Sequence, residues 1–300
     1  MRLTDEQREQ VIELRRRHSL SEVASLAGLS LGTVKTIVSR SGLFTDNPRQ
    51  RAMFTLPPIE SSGETLPAAQ ELPPQQAVTG DKELDAVLWL RQVIEIGDPA
   101  RIEQAKEAAG RIATPLDELE KRYSKWLLAR SSGNPFATFG SIGLANLDAL
   151  AKRAIEQRAN QAEAVGRFGG ELWAETKAEW FCIEAMRSVE QDRLLEYDKT
   201  QAAERFKALP ELMPHTLADC LWELNYWDGL YRLRHASDRK YMDQRQEVYA
   251  RYDFVFSLLA ELRPRSSDEA KAVLRHLLTS SHTEGNRIAD VEAILNNLIR

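Results

Sequence analysis

SLSEVASLAGLSLGTVKTIVSRSG, residues 19–42, sets two short helices around a turn. Ala24, four residues before Gly28, is small enough for two helices to approach one another. Gly28 takes a left-handed turn at little steric cost. Val34 and Ile37 follow at helical spacing, with Val23, Ala27 and Leu29 filling between, and these apolar side chains lock the pair. The order of small residue, glycine and apolar lock predicts a compact helical unit at the start of the chain.

Caps frame that unit. Thr4 with Gln7 and Ser19 with Glu22 have the spacing of capping boxes, and Ser30 stands three residues before Thr33. A first helix is predicted over Asp5–Arg17 burying Val11 and Leu14, a second over Leu20–Ala27, and a third over Leu31–Arg40 with Val34, Ile37 and Val38 inward. Gly42 closes it. The segment resembles the helix-turn-helix DNA-binding family, in particular the three-helix versions at the ends of site-specific recombinases and in many bacterial repressors. The match spans about 40 of the 300 residues.

The resemblance implies that the last helix lies in the major groove of double-stranded DNA. Thr33, Lys35 and Thr36 are the candidates for base edges, since Thr bonds several bases and Lys reaches guanine O6 and N7. Ser30, Ser39 and Arg40 are the candidates for phosphate. The structural alternatives are a Ser30 that only caps its helix, and solvated charges at Lys35 and Arg40. The basic run Arg15–Arg17 complements a helix C-terminus or grazes the DNA backbone.

Charge divides unevenly along the chain. The net charge is −5, yet residues 1–51 hold nine Lys and Arg against six Asp and Glu, leaving 31 against 39 for the remainder. A basic end on an acidic body suits a protein whose N-terminus alone meets phosphate. The 28% charged and 43% hydrophobic composition is that of an ordinary soluble globular chain.

Residues 45–80 hold six of the twelve prolines and show neither helical nor alternating period, so a flexible Pro-rich linker is expected there. Arg49 and Arg51 at its start read as a hinge, or as an arm for the minor groove. Residues 81–300 read as successive helices: Lys82–Ile96, Asp98–Ile112, Thr114–Arg130 with Pro115 at its first position, Leu144–Val165 broken by Gly166, and Glu171–Leu209. Three or four more follow, one begun by Ser266 with Glu269. Ser131–Gly143 reads as a loop. The fold class is all-α: a three-helix domain over 1–44, the linker over 45–80, and a multi-helix bundle-like body over 81–300 for self-association, expected as a dimer.

The densest apolar patch holds Leu221, Trp222, Tyr226, Trp227 and Tyr231, followed by Arg232, Arg234, Arg239 and Lys240. It reads as a buried core helix with Trp173, Trp180 and Phe181 against it; a ligand pocket or second nucleic-acid surface is the functional alternative. Cys182 and Cys220, 38 residues apart without metal-ligand spacing, read as buried free thiols in a reducing cytoplasm. The polar start and the lack of any long apolar run predict a cytoplasmic protein without a membrane segment. Phosphate-loop, GxSxG and HExxH patterns are absent, and His276 and His282 fall on different faces of one helix, so neither enzyme chemistry, metal nor cofactor is expected. The sequence thus predicts a sequence-specific duplex-DNA-binding transcriptional regulator of bacterial, phage or mobile-element origin, with another regulatory protein as a further partner. The alternative is a non-enzymatic DNA-organising protein (a plasmid partition or replication accessory, or a phage packaging subunit) or a helical adaptor.

Overall fold

The computed structural model describes residues 3–42, 44–60, 71–192, 196–238, 240–241, 243–279 and 288–299. In chain order the helices are α1 (Asp5–Arg17), α2 (Leu20–Leu26), α3 (Leu31–Ser41), α4 (Pro48–Met53), α5 (Lys82–Glu95), α6 (Pro99–Ala109) and α7 (Leu116–Arg130). Then come α8 (Leu147–Phe168), α9 (Lys177–Ala185), α10 (Lys199–Lys207), α11 (Leu217–Ser237), α12 (Gln246–Glu261), α13 (Ser267–Thr279) and α14 (Ile288–Leu298). Two 3-10 turns, Pro135–Ser141 and Pro210–Leu212, complete the set. The fold is all-α: among the described residues the one strand-like pairing is a single bridge between Gln191 and Tyr197. No helix there is long and apolar enough to cross a membrane.

The chain divides into two compact units. Unit 1 comprises Met1–Pro57, Trp173–Tyr231 and Met242–Arg300, and unit 2 comprises Pro58–Leu172 and Arg232–Tyr241. In unit 1, α1, α2 and α3 close on Val11, Val23 and Val34, all fully buried, with Leu14, Leu20 and Ile37 packed around them. Burying each valine is worth about 1.5–3 kcal/mol, and caps fix the helix ends. Gln7 N–H donates to Thr4 Oγ1 at 3.2 Å while Thr4 N–H donates to Gln7 Oε1 at 3.1 Å. Ser19 and Glu22 repeat the exchange at 2.7 and 3.3 Å. Gly28 and Gly42 adopt φ of +64° and +71°, where a Cβ would strain the backbone.

The first part of the expected linker is folded. Asn47 caps α4 by accepting from the Arg49 and Gln50 N–H groups, and Pro48 occupies the first helical turn, where no N–H is required. Phe54 after it is buried and meets Tyr226, Trp227 and Phe181 edge-on at 5.8, 5.6 and 6.2 Å. Residues 61–70 of the linker lie outside the described residues. In unit 2 the irregular 71–79 segment is held by Trp89, whose Nε1–H donates to the Pro73 carbonyl at 2.7 Å.

At the centre of unit 1 a charged group sits among rings. Arg251 and Glu223 are fully buried and paired twice, at 2.7 and 2.9 Å. Phe54, Phe181, Phe206 and Phe254 lie with centroids 5.0–5.5 Å from the guanidinium carbon. The expected single helix over Glu171–Leu209 is instead two: α9 starts at a Thr176–Glu179 capping box and α10 at an Asp198 cap, with Ser188 in a left-handed conformation between them. Phe181 is partly buried and packs against Phe54 and Phe206, whereas Trp173, Trp180 and, contrary to the expectation of a wholly buried helix, Trp222 of α11 stay about half exposed. Cys182 and Cys220 are buried and free, and burial pushes both thiols well above the usual range.

Unit 2 packs α5, α6, α7 and α8 around Leu90, Ile94, Ile102, Leu119 and Leu150. α8 starts at Leu147 rather than 144 because Asn146 caps it, and it runs through Gly166 to end at Gly169. Gly97 has no substitute: its φ is +76°, and a Cβ there would stand 2.5 Å from the Ala154 carbonyl oxygen. Gln157 and Gln161 of α8 donate to the Ala236 carbonyl, which holds the 232–241 segment in this unit. Within the expected loop, Pro135–Ser141 forms a 3-10 turn capped by Asn134. Arg239 and His282 lie outside the described residues.

Candidate nucleic-acid interface

The helix α3 presents two faces. Val34 is buried, with Ile37 and Val38 partly so, and at 100° per residue the opposite meridian carries Gly32, Thr36 and Ser39. Lys35 flanks this meridian on one side and Thr33 and Arg40 on the other. The helix bears no carboxylate. Lys35, Ser39 and Arg40 are exposed, and neither cation has an ion-pair partner among the described residues.

Ser30 and Thr33 are committed to the helix start. Thr33 N–H donates to Ser30 Oγ at 3.2 Å, and the two hydroxyls share a 2.8 Å hydrogen bond. Thr36 Oγ1 donates to the Gly32 carbonyl at 2.9 Å, and the residue stays exposed. Lys35, Thr36, Ser39 and Arg40 therefore form the available polar face. Ser30 and Thr33 reach it only by exchanging a capping bond.

An open groove of about 1160 Å³ runs between α1 and α3. Ser30, Thr33, Thr36 and Arg40 line it, whereas Lys35 and Ser39 lie outside it on the outer face. The α1 wall adds Arg8, Glu9, Ile12 and Glu13, and its two carboxylates repel anions. Of the two arginines that line the groove, Arg8 is ion-paired, and Arg40 on the α3 wall has no ion-pair partner among the described residues. Arg8 is held by Asp5 at 2.8 Å, an ordinary helical i, i+3 pair that nothing in the sequence sets apart. Leu31 begins α3 as an exposed apolar side chain, suited to a thymine methyl.

Compared with protein-family models, curated proteins and solved structures, this chain matches none.

The basic run at the end of α1 is structural in part. Arg15 Nη1 donates to the His18 carbonyl at 2.9 Å, and its guanidinium lies over the Phe44 ring. Its pKa is lowered by burial and by the nearby Arg263. Arg16 pairs with Glu13 at 3.3 Å. The Arg17 side chain lies outside the described residues. Arg51 turns inward, pairing with Asp219 at 2.7 Å and Asp46 at 2.9 Å, so it is not a free arm; Arg49 is exposed. Among the described residues there is no cluster of His, Cys, Asp and Glu suited to a metal ion.

Proposed function

We propose that the chain is a sequence-specific duplex-DNA-binding protein that regulates transcription, acting as a homodimer with α3 in the major groove. One observation carries the reading: an acid-free helix face with Lys35, Thr36, Ser39 and Arg40 turned to solvent, carried on a capped three-helix unit with Gly28 at its turn. Lys35 and Thr36 read base edges, Leu31 packs on thymine methyl groups, and Arg40 and Ser39 take phosphate. Ser30 contributes by fixing the helix N-terminus.

Two copies reading two half-sites gain affinity that a single small interface lacks. Occupation of a promoter is then enough to repress. Selection of bound duplexes from a random pool tests the reading, with the wild type compared against Lys35→Ala/Thr36→Ala. Recovery of an inverted repeat that the double variant loses supports it. Binding without any preferred sequence assigns a DNA-organising role instead, and no duplex binding at low salt leaves a helical adaptor.

A further inference from the structure

Residues 121–147 in unit 2 contain Lys121, Arg122, Lys125 and Arg130 but no Asp or Glu, in a chain with 45 acidic residues among 300. They form the second half of α7 and the turn that folds back along it. Gly133 N–H donates to the Leu128 carbonyl at 2.9 Å, a Cβ on Gly140 would touch Leu127, and Ala145 N–H donates to Glu120 at 2.9 Å. The segment from 131 to 145 therefore lies antiparallel to the acid-free half of the helix.

This corner exposes large apolar side chains: Phe136 is 70% accessible, Phe139 63% and Ile142 71%. The two phenyl rings meet edge to face, with centroids 5.8 Å apart. On α7, Tyr123 stacks on Trp126 at 5.9 Å, and the Arg130 guanidinium lies 5.2 Å from the Trp126 centroid. Lys125 is exposed and has no ion-pair partner among the described residues, whereas Arg122 is held by Asp81 and Glu118, and Lys121 pairs with Asp117 at 4.0 Å.

Exposed patches of this kind mark interaction sites, and the two cations that no carboxylate holds among the described residues, Lys125 and Arg130, favour an anionic occupant. Four rings between Tyr123 and Phe139, with a guanidinium already over one of them, favour a ligand with flat faces. A duplex hides its base faces, while a single strand offers both faces and phosphates. We infer that this corner of unit 2 binds single-stranded nucleic acid, with bases stacked on Phe136 and Phe139 and phosphates at Lys125 and Arg130. The inference is independent of the duplex reading, which rests on α3 in unit 1.

Fluorescence anisotropy of a labelled oligothymidylate with the full-length protein tests it. The expected result is binding that weakens at least tenfold in Phe136→Ala/Phe139→Ala and is retained in Phe136→Tyr/Phe139→Tyr. Lys125→Ala/Arg130→Ala should flatten the salt dependence by roughly 1.4 in log–log slope, the loss expected for two single-strand phosphate contacts. Lys35→Ala/Arg40→Ala should bind the strand as the wild type does, whatever happens to duplex binding. Both phenylalanines are exposed, and circular dichroism verifies that their variants fold. No binding at low salt overturns the inference, as does a Phe136→Ala/Phe139→Ala variant of unchanged affinity. Loss confined to the Lys35→Ala/Arg40→Ala variant moves the strand to α3. Binding to phosphatidylserine vesicles that oligothymidylate does not displace assigns the corner to lipid and likewise overturns the inference.

Discussion

Gln50 and Glu223 are 173 positions apart in sequence, and the Gln50 amide donates to the Glu223 carboxylate at 2.9 Å inside unit 1. Both side chains are fully buried, and the same carboxylate oxygen accepts from Arg251. The helix that follows the three-helix unit is thus part of the polar centre of the unit. A buried charge left without its partner is costly, typically by about 3–5 kcal/mol. Glu223→Ala is expected to destabilise unit 1 by that amount, and Gln50→Ala by about 1–3 kcal/mol. Urea unfolding measures both, and a Glu223→Ala midpoint equal to wild type contradicts the account.

Ser30 and Lys35 separate stability from recognition. Ser30→Ala removes the α3 cap and should cost about 0.5–2 kcal/mol of stability, with weaker duplex binding as a consequence. Lys35→Ala should leave the melting temperature unchanged and cost about 1–3 kcal/mol of discrimination at the base it reads. Arg40→Ala should instead weaken all duplexes alike and lower the salt slope by about 1. Thermal melts alongside binding isotherms check the division, and a Lys35→Ala variant that loses stability without losing discrimination refutes it.

Gly32 and Gly97 answer differently to an added methyl. A Cβ on Gly97 collides with the Ala154 carbonyl, so Gly97→Ala should destabilise unit 2 strongly. A Cβ on Gly32 meets only Ser30 Oγ at 3.9 Å. Gly32→Ala should therefore stabilise α3 by up to about 1 kcal/mol. If the bare backbone at Gly32 is where DNA approaches, the same variant loses duplex affinity while gaining stability. A gain in both would remove Gly32 from the interface.

The carboxylate of Glu22 is held below the usual range first by the Ser19 backbone N–H, then by the Ser19 hydroxyl and by Arg263. A depressed carboxylate stabilises the fold above its unfolded pKa, and the contribution fades as pH falls through the lower folded value. Glu22→Gln should accordingly be less stable than wild type at pH 7, and the gap should close below the ordinary glutamate value of 4.5. Melting both proteins across that range tests the sign. A gap that widens on acidification is incompatible with it.

The helices α1, α2 and α3 were legible because each has its cap in sequence: Thr4, Ser19 and Ser30, with Gly28 and Gly42 as stops. The same signals at Thr176 and Asp198 do not stand out in the sequence, because the residues between them are compatible with a continuous helix. α4 was obscured by the prolines around it, although Asn47 and Pro48 are an ordinary start for a helix. At the candidate interface the sequence placed the outward side chains of α3. It could not reveal that the Thr33 hydroxyl is bonded to Ser30, since that depends on a rotamer rather than on spacing.

The anchoring of Asn47 through Phe54 sets where this chain can be recombined. The Asn47 amide donates to the Glu211 and Met213 carbonyls at 3.0 and 2.9 Å, and Phe54 fills the aromatic centre. A chimaera joined at Gly42 can exchange three helices for another set and keep the polar centre of its host intact. One joined among the later prolines would carry a foreign plug into a socket shaped for this one. The natural seam for exchanging the three helices therefore precedes the proline-rich stretch, and domain shuffling across it is expected to succeed only upstream of Asn47.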